Sequence, residues 1–258
     1  MILEKRSLSR NIGDRWGKDK YFIQFSQQYF ANNPDEAFIL EYVDLQQLQN
    51  LQSGVLKIGS NETITKEWEI SRKLSTIHGF ITYTMIKSNG ENSILVMPHF
   101  NNGSICDYKW VNNIQQLKSC LKQIVCSMLI AFKQFGFVHS KLHIGNVLVK
   151  DTTEQNIVYP EIGIEFPSNG IQICIMDFYH ACIGAKKDDT KFLFIDLHYI
   201  IQDLVYTLKL EFEGIDKIFK ITSNGMFNNG VAIESLLQLI VLIDDLKFLG
   251  TTQLTFVS

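Results

Sequence analysis

The stretch from Phe137 to Val149, FVHSKLHIGNVLV, places His139, Lys141, His143 and Asn146 within eight residues. Downstream, ICIMDFY from Ile173 to Tyr179 is an apolar run that closes on an acid, Asp177. An amide oxygen and a carboxylate are hard donors, the kind Mg2+ accepts alongside phosphate oxygens. Phosphoryl transfer is mostly positioning and charge neutralisation, so two such donors held against a nucleotide would serve it. Each residue alone has a plainer use, because an Asn after a turn or an Asp at a strand end often caps nearby backbone. Taken jointly, with His139, Leu142 and the flanking apolar runs in register, the pattern carries more than either residue alone.

Two residues upstream extend the set. Lys57 sits in the short apolar run Val55-Leu-Lys-Ile58, which predicts a strand ending at Gly59. A helix is expected from about Thr63, with Ile64, Glu67, Ile70, Ser71, Leu74 and Ile77 at three- and four-residue steps. Glu67 shares that face and is the expected partner of Lys57, whereas Glu69 projects elsewhere. The plain alternative is a solvated lysine and a surface glutamate.

The elements that would position these groups follow from the same patterning. Strands are expected at Phe80 to Ile86 and Ile94 to Met97, parted by the turn signal Ser88-Asn89-Gly90. After Asn101-Asn102-Gly103 the character changes. Ile114 to Phe135 reads as a long amphipathic helix, with Leu117, Leu121, Ile124, Val125, Met128 and Leu129 on one face. Short strands are expected at Val147 to Val149 and Ile171 to Met176, then helices at Phe194 to Leu210 and Val231 to Leu249. The layout predicts an α+β chain, sheet-rich to about residue 100 and helix-rich from about 101 to 258. The first 50 residues give no legible pattern.

Composition bounds the function. The chain has 258 residues, 46% hydrophobic and 20% charged, which is ordinary for a globular protein with a core of its own. Charge sums to −3, with 24 basic and 27 acidic residues, so no general basic surface for nucleic acid is expected. Five cysteines, Cys106, Cys120, Cys126, Cys174 and Cys182, are scattered without a C-x-x-C pair, which fits a reducing compartment better than a disulfide framework. Met1 to Arg10 carries charge and no apolar core, and no run approaches the ~20 residues of a membrane span, so an intracellular protein away from membranes is expected.

The loop followed by a strand and an Asp-Phe turn resembles protein kinases, whose catalytic loop reads H-x-D-L-x-x-x-N. Within them it is most similar to haspin. Phe166-Pro-Ser-Asn-Gly-Ile-Gln-Ile173 resembles the P-S-x-G-x-Q-V lead-in of that family, and His143-Ile-Gly-Asn-Val-Leu148 resembles its H-W-G-N-V-L. Glu67 to Ile77, EWEISRKLSTI, is similar to the haspin helix E-I-I-I-S-K-E-L-S-L-L. Asp177-Phe-Tyr179 resembles D-Y-T, and Asp196-Leu-His-Tyr199 resembles D-I-Y-R at the start of the central helix. The likeness covers roughly residues 54 to 205.

The resemblance implies one protein-kinase domain over residues 1–258, with an N-lobe to about residue 100 and a C-lobe beyond, binding ATP and Mg2+. Lys57 would meet phosphate and Glu67 would hold it; Asn146 and Asp177 would hold magnesium. Val96 to Phe100, with Met97 and His99, is the expected adenine-contacting stretch. His139 would pin the catalytic loop. The implied partner is a protein substrate, a histone-tail threonine on chromatin, with a monomeric protein located in the nucleus.

Three departures bear on activity. The position of the base aspartate is Lys141. An ammonium has no lone pair with which to take a proton, and general-base help is typically worth ~10²–10⁴ in rate. No G-x-G-x-x-G precedes Lys57, and only 18 residues separate Asp177 from Asp196. Two readings of different class stay open: a slow serine/threonine kinase, and a pseudokinase acting as a binding module. A small-molecule phosphotransferase is a third. His78, His99, His180 and His198 lack metal-ligand spacing, and Lys186-Lys187-Asp188-Asp189 reads as a solvated loop.

Overall fold

The computed structural model describes residues 21–26, 53–87, 92–98, 100, 102–108, 114–186, 188–208, 210–227 and 234–249. Their architecture is mixed α/β, and the chain divides into two compact units, residues 1–73 with 81–99, and residues 74–80 with 100–258.

The first unit is built on a four-stranded antiparallel sheet. β1 (Tyr21–Ser26) pairs with β2 (Ser53–Ser60), which leads directly into α1 (Asn61–Leu74). β3 (Thr84–Lys87) and β4 (Asn92–Met97) complete the order β1-β2-β4-β3. Lys57 lies in β2 between two partners, opposite Phe22 on β1 and Leu95 on β4. On β2, Val55, Lys57 and Gly59 alternate on a buried face, as the two-residue period of a strand requires. A Cβ on Gly59 would come within 3.3 Å of Ile64, the close approach of strand and helix that the missing side chain permits. The strand expected from Phe80 begins only at Thr84. Ser71 on α1 explains the delay: its hydroxyl donates to the Ile81 carbonyl at 2.7 Å and accepts the Tyr83 N–H at 2.9 Å. Residues 81–83 thus bond to a helix side chain instead of a strand. The turn signal at residues 88–90 lies outside the described residues.

The second unit centres on α2 (Ile114–Phe135), buried on every side from Leu117 to Phe132. A helix enclosed this way belongs to the middle of a core. Two lysines within it reach outward along their stems. Lys118 Nζ donates to the Asp244 carbonyl at 2.6 Å, and Lys122 Nζ meets the Asp244 carboxylate at 2.7 Å. β5 (Val147–Asp151) pairs antiparallel with β8 (Ile171–Ile175), and between them β6 (Asn156–Tyr159) and β7 (Ile164–Pro167) form a hairpin. That hairpin lies within the 30 residues between Asn146 and Asp177. Gln123 on α2 holds β8 by its ends, accepting from Ile173 N–H at 3.0 Å and donating to the Ile171 carbonyl at 3.2 Å.

α3 (Lys191–Thr207), β9 (Phe212–Glu213), α4 (Ile215–Phe227), α5 (Glu234–Asp245) and β10 (Lys247–Phe248) follow, with β9 and β10 paired. α4 had no counterpart among the expected elements. Among the described residues, no helix is long and apolar enough to cross a membrane.

Candidate functional site

In the first unit, Lys57 and Glu67 are both essentially inaccessible, and Lys57 Nζ lies 2.5 Å from each Glu67 oxygen. The pairing follows from local geometry. β2 turns straight into α1, and Glu67 sits two turns into the helix on the face carrying Ile64, Ile70 and Ser71, all at least half-buried. Glu69 is exposed. Met97, the last residue of β4, is buried and opposite Val55. His99 lies outside the described residues.

In the second unit the loop from His139 to Asn146 runs into β5. Asn146 is fully buried. Its Nδ2 donates to the Lys141 carbonyl at 3.1 Å, which fixes the amide plane, and its Oδ1 has no hydrogen-bond partner. Buried polar atoms in native proteins are nearly always paired, so an orphaned acceptor asks for a reason. Asp177 is its neighbour across the ladder: Val147 faces Ile175, the Asn146 carbonyl takes the Met176 N–H at 2.9 Å, and Asp177 comes next.

Asp177 is itself buried and held at φ 67°, ψ 66°. Aspartate enters the left-handed region more readily than most residues other than glycine, yet the conformation is uncommon and is held where the surroundings over-determine it. Here Phe178 anchors the turn. It is fully buried against Phe137, with ring centroids 5.9 Å apart, and against His139 at 6.0 Å.

A buried amide oxygen without a partner beside a strained buried carboxylate fits a hard cation of the Mg2+ type, which takes one or two protein oxygens and leaves the rest to phosphates and water. Among the described residues no trio of His, Cys, Asp or Glu could hold a metal by itself.

His139 is fully buried, and desolvation pulls its pKa down to about 4. The ring is therefore neutral at ordinary pH. Its Nε2 lies 2.9 Å from the Met176 carbonyl, so the single ring proton belongs there and Nδ1 is left without a partner. This makes His139 a strut between the loop and the end of β8. Lys141 is half-buried, flanked by the buried His139, one residue past Ser140, and the buried Leu142.

Two carboxylates on α3 complete the site, and the sequence did not mark either as a site residue. Asp196 accepts the backbone N–H groups of His139 at 2.7 Å, Ser140 at 3.2 Å and Leu142. Burial nevertheless pushes its carboxyl up to about 7. Asp203 accepts the Ile144 N–H at 3.1 Å. Only the i+7 spacing of the two acids on one helix could have signalled a shared face.

The chain leaving the Asp177 turn is stitched to the chain entering the loop. Val138 and Cys182 exchange both backbone bonds, at 3.0 and 2.9 Å, and Gly184 and Ala185 donate to the carbonyls of Phe135 and Gly136. A Cβ on Gly136 would fall 2.3 Å from the Ala185 oxygen, so this approach requires glycine.

No family model matches the chain. Parts of it are similar to three curated proteins. One, a probable serine/threonine-protein kinase of Dictyostelium discoideum, is 38% identical over 82 residues, 30% of this chain and 7% of that protein. The serine/threonine-protein kinase haspin homolog of Drosophila melanogaster is 25% identical over 93 residues, 34% of this chain and 16% of that protein. Haspin of Bos taurus is 36% identical over 72 residues, 27% of this chain and 9% of that protein. The matches thus span less than a fifth of each relative. They support a partial likeness to serine/threonine kinases.

Proposed function

We propose that this chain has a haspin-like protein-kinase fold, binds a magnesium–nucleoside triphosphate, and transfers the γ-phosphate slowly. The observation that carries the reading is Asn146, whose buried Oδ1 lacks a partner beside the strained Asp177. In this reading Asn146 and Asp177 hold Mg2+, which when bound neutralises phosphate charge. Lys57, fixed by Glu67, meets the phosphate oxygens. Met97, with the stretch after it, offers backbone groups to the base. His139 and Asp196 keep the loop in place.

Lys141 sets the rate. Its ammonium cannot take the proton of an acceptor hydroxyl, so a serine or threonine attacks without general-base help, a loss of about 10²–10⁴. A protein hydroxyl is the proposed acceptor, with a histone-tail threonine, and hence a nuclear setting, the first to assay. The same lysine favours a second reading, in which the chain binds nucleotide and acts through protein contacts alone.

The test pairs Mg2+-dependent binding of a fluorescent ATP analogue with transfer of labelled γ-phosphate to a histone mixture and to the protein itself. Binding should depend on Mg2+ and vanish in Asp177→Ala. Transfer should be weak in the wild type and rise by about 10²-fold in Lys141→Asp. Mg2+-dependent binding with no transfer in either protein selects the second reading. Binding indifferent to Mg2+ and to Asp177→Ala overturns the proposal.

A further inference from the structure

We propose that Asp203 is a positioning residue for the candidate metal site, through which α3 sets the affinity of Asn146 for a divalent cation. The inference rests on the Mg2+–nucleotide reading given above and assigns a control point to that same site.

Every backbone donor of the turn that carries Asn146 has a named acceptor. Gly145 N–H donates to His143 Nδ1 at 3.1 Å, and Asn146 N–H donates to the His143 carbonyl at 2.9 Å. Both bonds are internal to the turn and travel with it. Ile144 N–H alone is taken by a distant element, the Asp203 carboxylate 59 residues later, at 3.1 Å. Among the backbone donors of the turn, this is the bond that ties it to the helix. The other half of the loop has its own anchor in Asp196, which holds residues 139, 140 and 142.

The two acids stand seven residues apart on α3, close to two helical turns, so they share a face about 10 Å apart along the axis. One helix thus grips the loop at both ends. Asp203 is also aimed. Thr207 Oγ1, one turn on, donates to Asp203 Oδ1 at 3.1 Å, leaving Oδ2 for Ile144.

Loss of the carboxylate would strand the Ile144 N–H in a turn whose residues, Ile144, Gly145 and Asn146, are all buried. The turn would move to find a partner and carry Asn146 Oδ1 with it. Residues that orient metal ligands from behind commonly change metal affinity by about 10–100-fold when removed.

The experiment compares Asp203→Ala, Asp203→Asn and Thr207→Val. Amide hydrogen exchange at Ile144 is read in the metal-free protein, and Mg2+ affinity is read in the presence of a non-hydrolysable ATP analogue. Asp203→Ala should exchange faster at Ile144 and bind Mg2+ about 10–100-fold more weakly. Asp203→Asn, which keeps an acceptor oxygen, should restore most of both. Thr207→Val, which leaves the carboxylate but loosens its aim, should fall between them and guards against an alanine variant that fails to fold. Unchanged exchange at Ile144 in Asp203→Ala overturns the proposal. So does faster exchange with Mg2+ affinity unchanged, which would make Asp203 a strut for the loop alone. A wild type whose nucleotide binding ignores both Mg2+ and Asp177→Ala overturns the functional reading, and this inference with it.

Discussion

In the sheet-based unit a buried charge is met at once: both oxygens of Glu67 take the Lys57 ammonium. In the helix-rich unit the buried polar groups are left partly unmet, with Asn146 Oδ1 and His139 Nδ1 unpartnered and Asp177 in a left-handed conformation. Both arrangements cost desolvation, and the second leaves two buried atoms, Asn146 Oδ1 and His139 Nδ1, without a hydrogen bond. The difference separates two jobs. A saturated pair is a fixed piece of scaffold with its charge pre-aimed. An unfilled acceptor beside a strained carboxylate is where a bound cation would gain most.

The comparison can be broken first at its closed end. Removing one member of a buried ion pair typically costs about 3–5 kcal/mol because the other charge is left alone. Glu67→Ala should lose that much stability in urea unfolding, while Lys57→Met with Glu67→Leu should recover most of it. A loss below about 1 kcal/mol for Glu67→Ala would mean that the pair is not desolvated as the structure has it.

The open end is probed next through pH. His139 binds its proton near pH 4 when folded and near 6.5 when unfolded, so it adds stability above pH 6.5 that is lost as pH falls toward 4. Asp196 works the other way. Raised from 3.8 to about 7, it favours the folded state at low pH and loses that contribution as pH rises toward 7. Across pH 4 to 6.5 the two slopes nearly cancel, each about 1.4 kcal/mol per unit. Relative to the wild type, metal-free His139→Gln should therefore lose about 3 kcal/mol across that window as pH rises, and Asp196→Asn should gain a comparable amount. Parallel curves for all three proteins would refute the assignment of these protons.

The smallest effect sharpens the contrast. Asp177→Gly relieves the left-handed strain and should stabilise the apoprotein by about 1 kcal/mol while abolishing Mg2+-dependent binding. An urea midpoint unmoved or lowered would show that Asp177 is not strained.

Much of the candidate site's geometry was legible because its parts are local in sequence. Lys57 and Glu67 lie ten residues apart on a strand and the helix it feeds, and the helical period alone singled out Glu67. Asn146 and Asp177 were visible at the ends of apolar runs that became β5 and β8. What stayed hidden depends on distant partners. The bonds from Asp196 to His139 and from Asp203 to Ile144 span 57 and 59 residues; the D-I-Y-R likeness marked Asp196 only as a helix start, and nothing near Asp203 announces its bond. α4 was missed for a related reason. Its Ser223-Asn224-Gly225 reads as a turn signal, yet Gly225 lies inside the helix where Phe194 packs so closely that a Cβ would meet the ring at 2.1 Å. Tertiary packing outweighed local preference there.

The backbone stitching of residues 182–185 onto residues 135–138 has a consequence for handling the protein. Cys182 and Gly184 are exposed to solvent, yet their main chain is tied down on one side and cannot peel away by itself. A protease must engage a locally unfolded strand, and this one opens only when the chain entering the loop opens too. Limited digestion of the native protein should leave this stretch uncut until the whole helix-rich unit melts, whereas Gly136→Ala, by wedging the two strands apart, should make it the first place to be nicked.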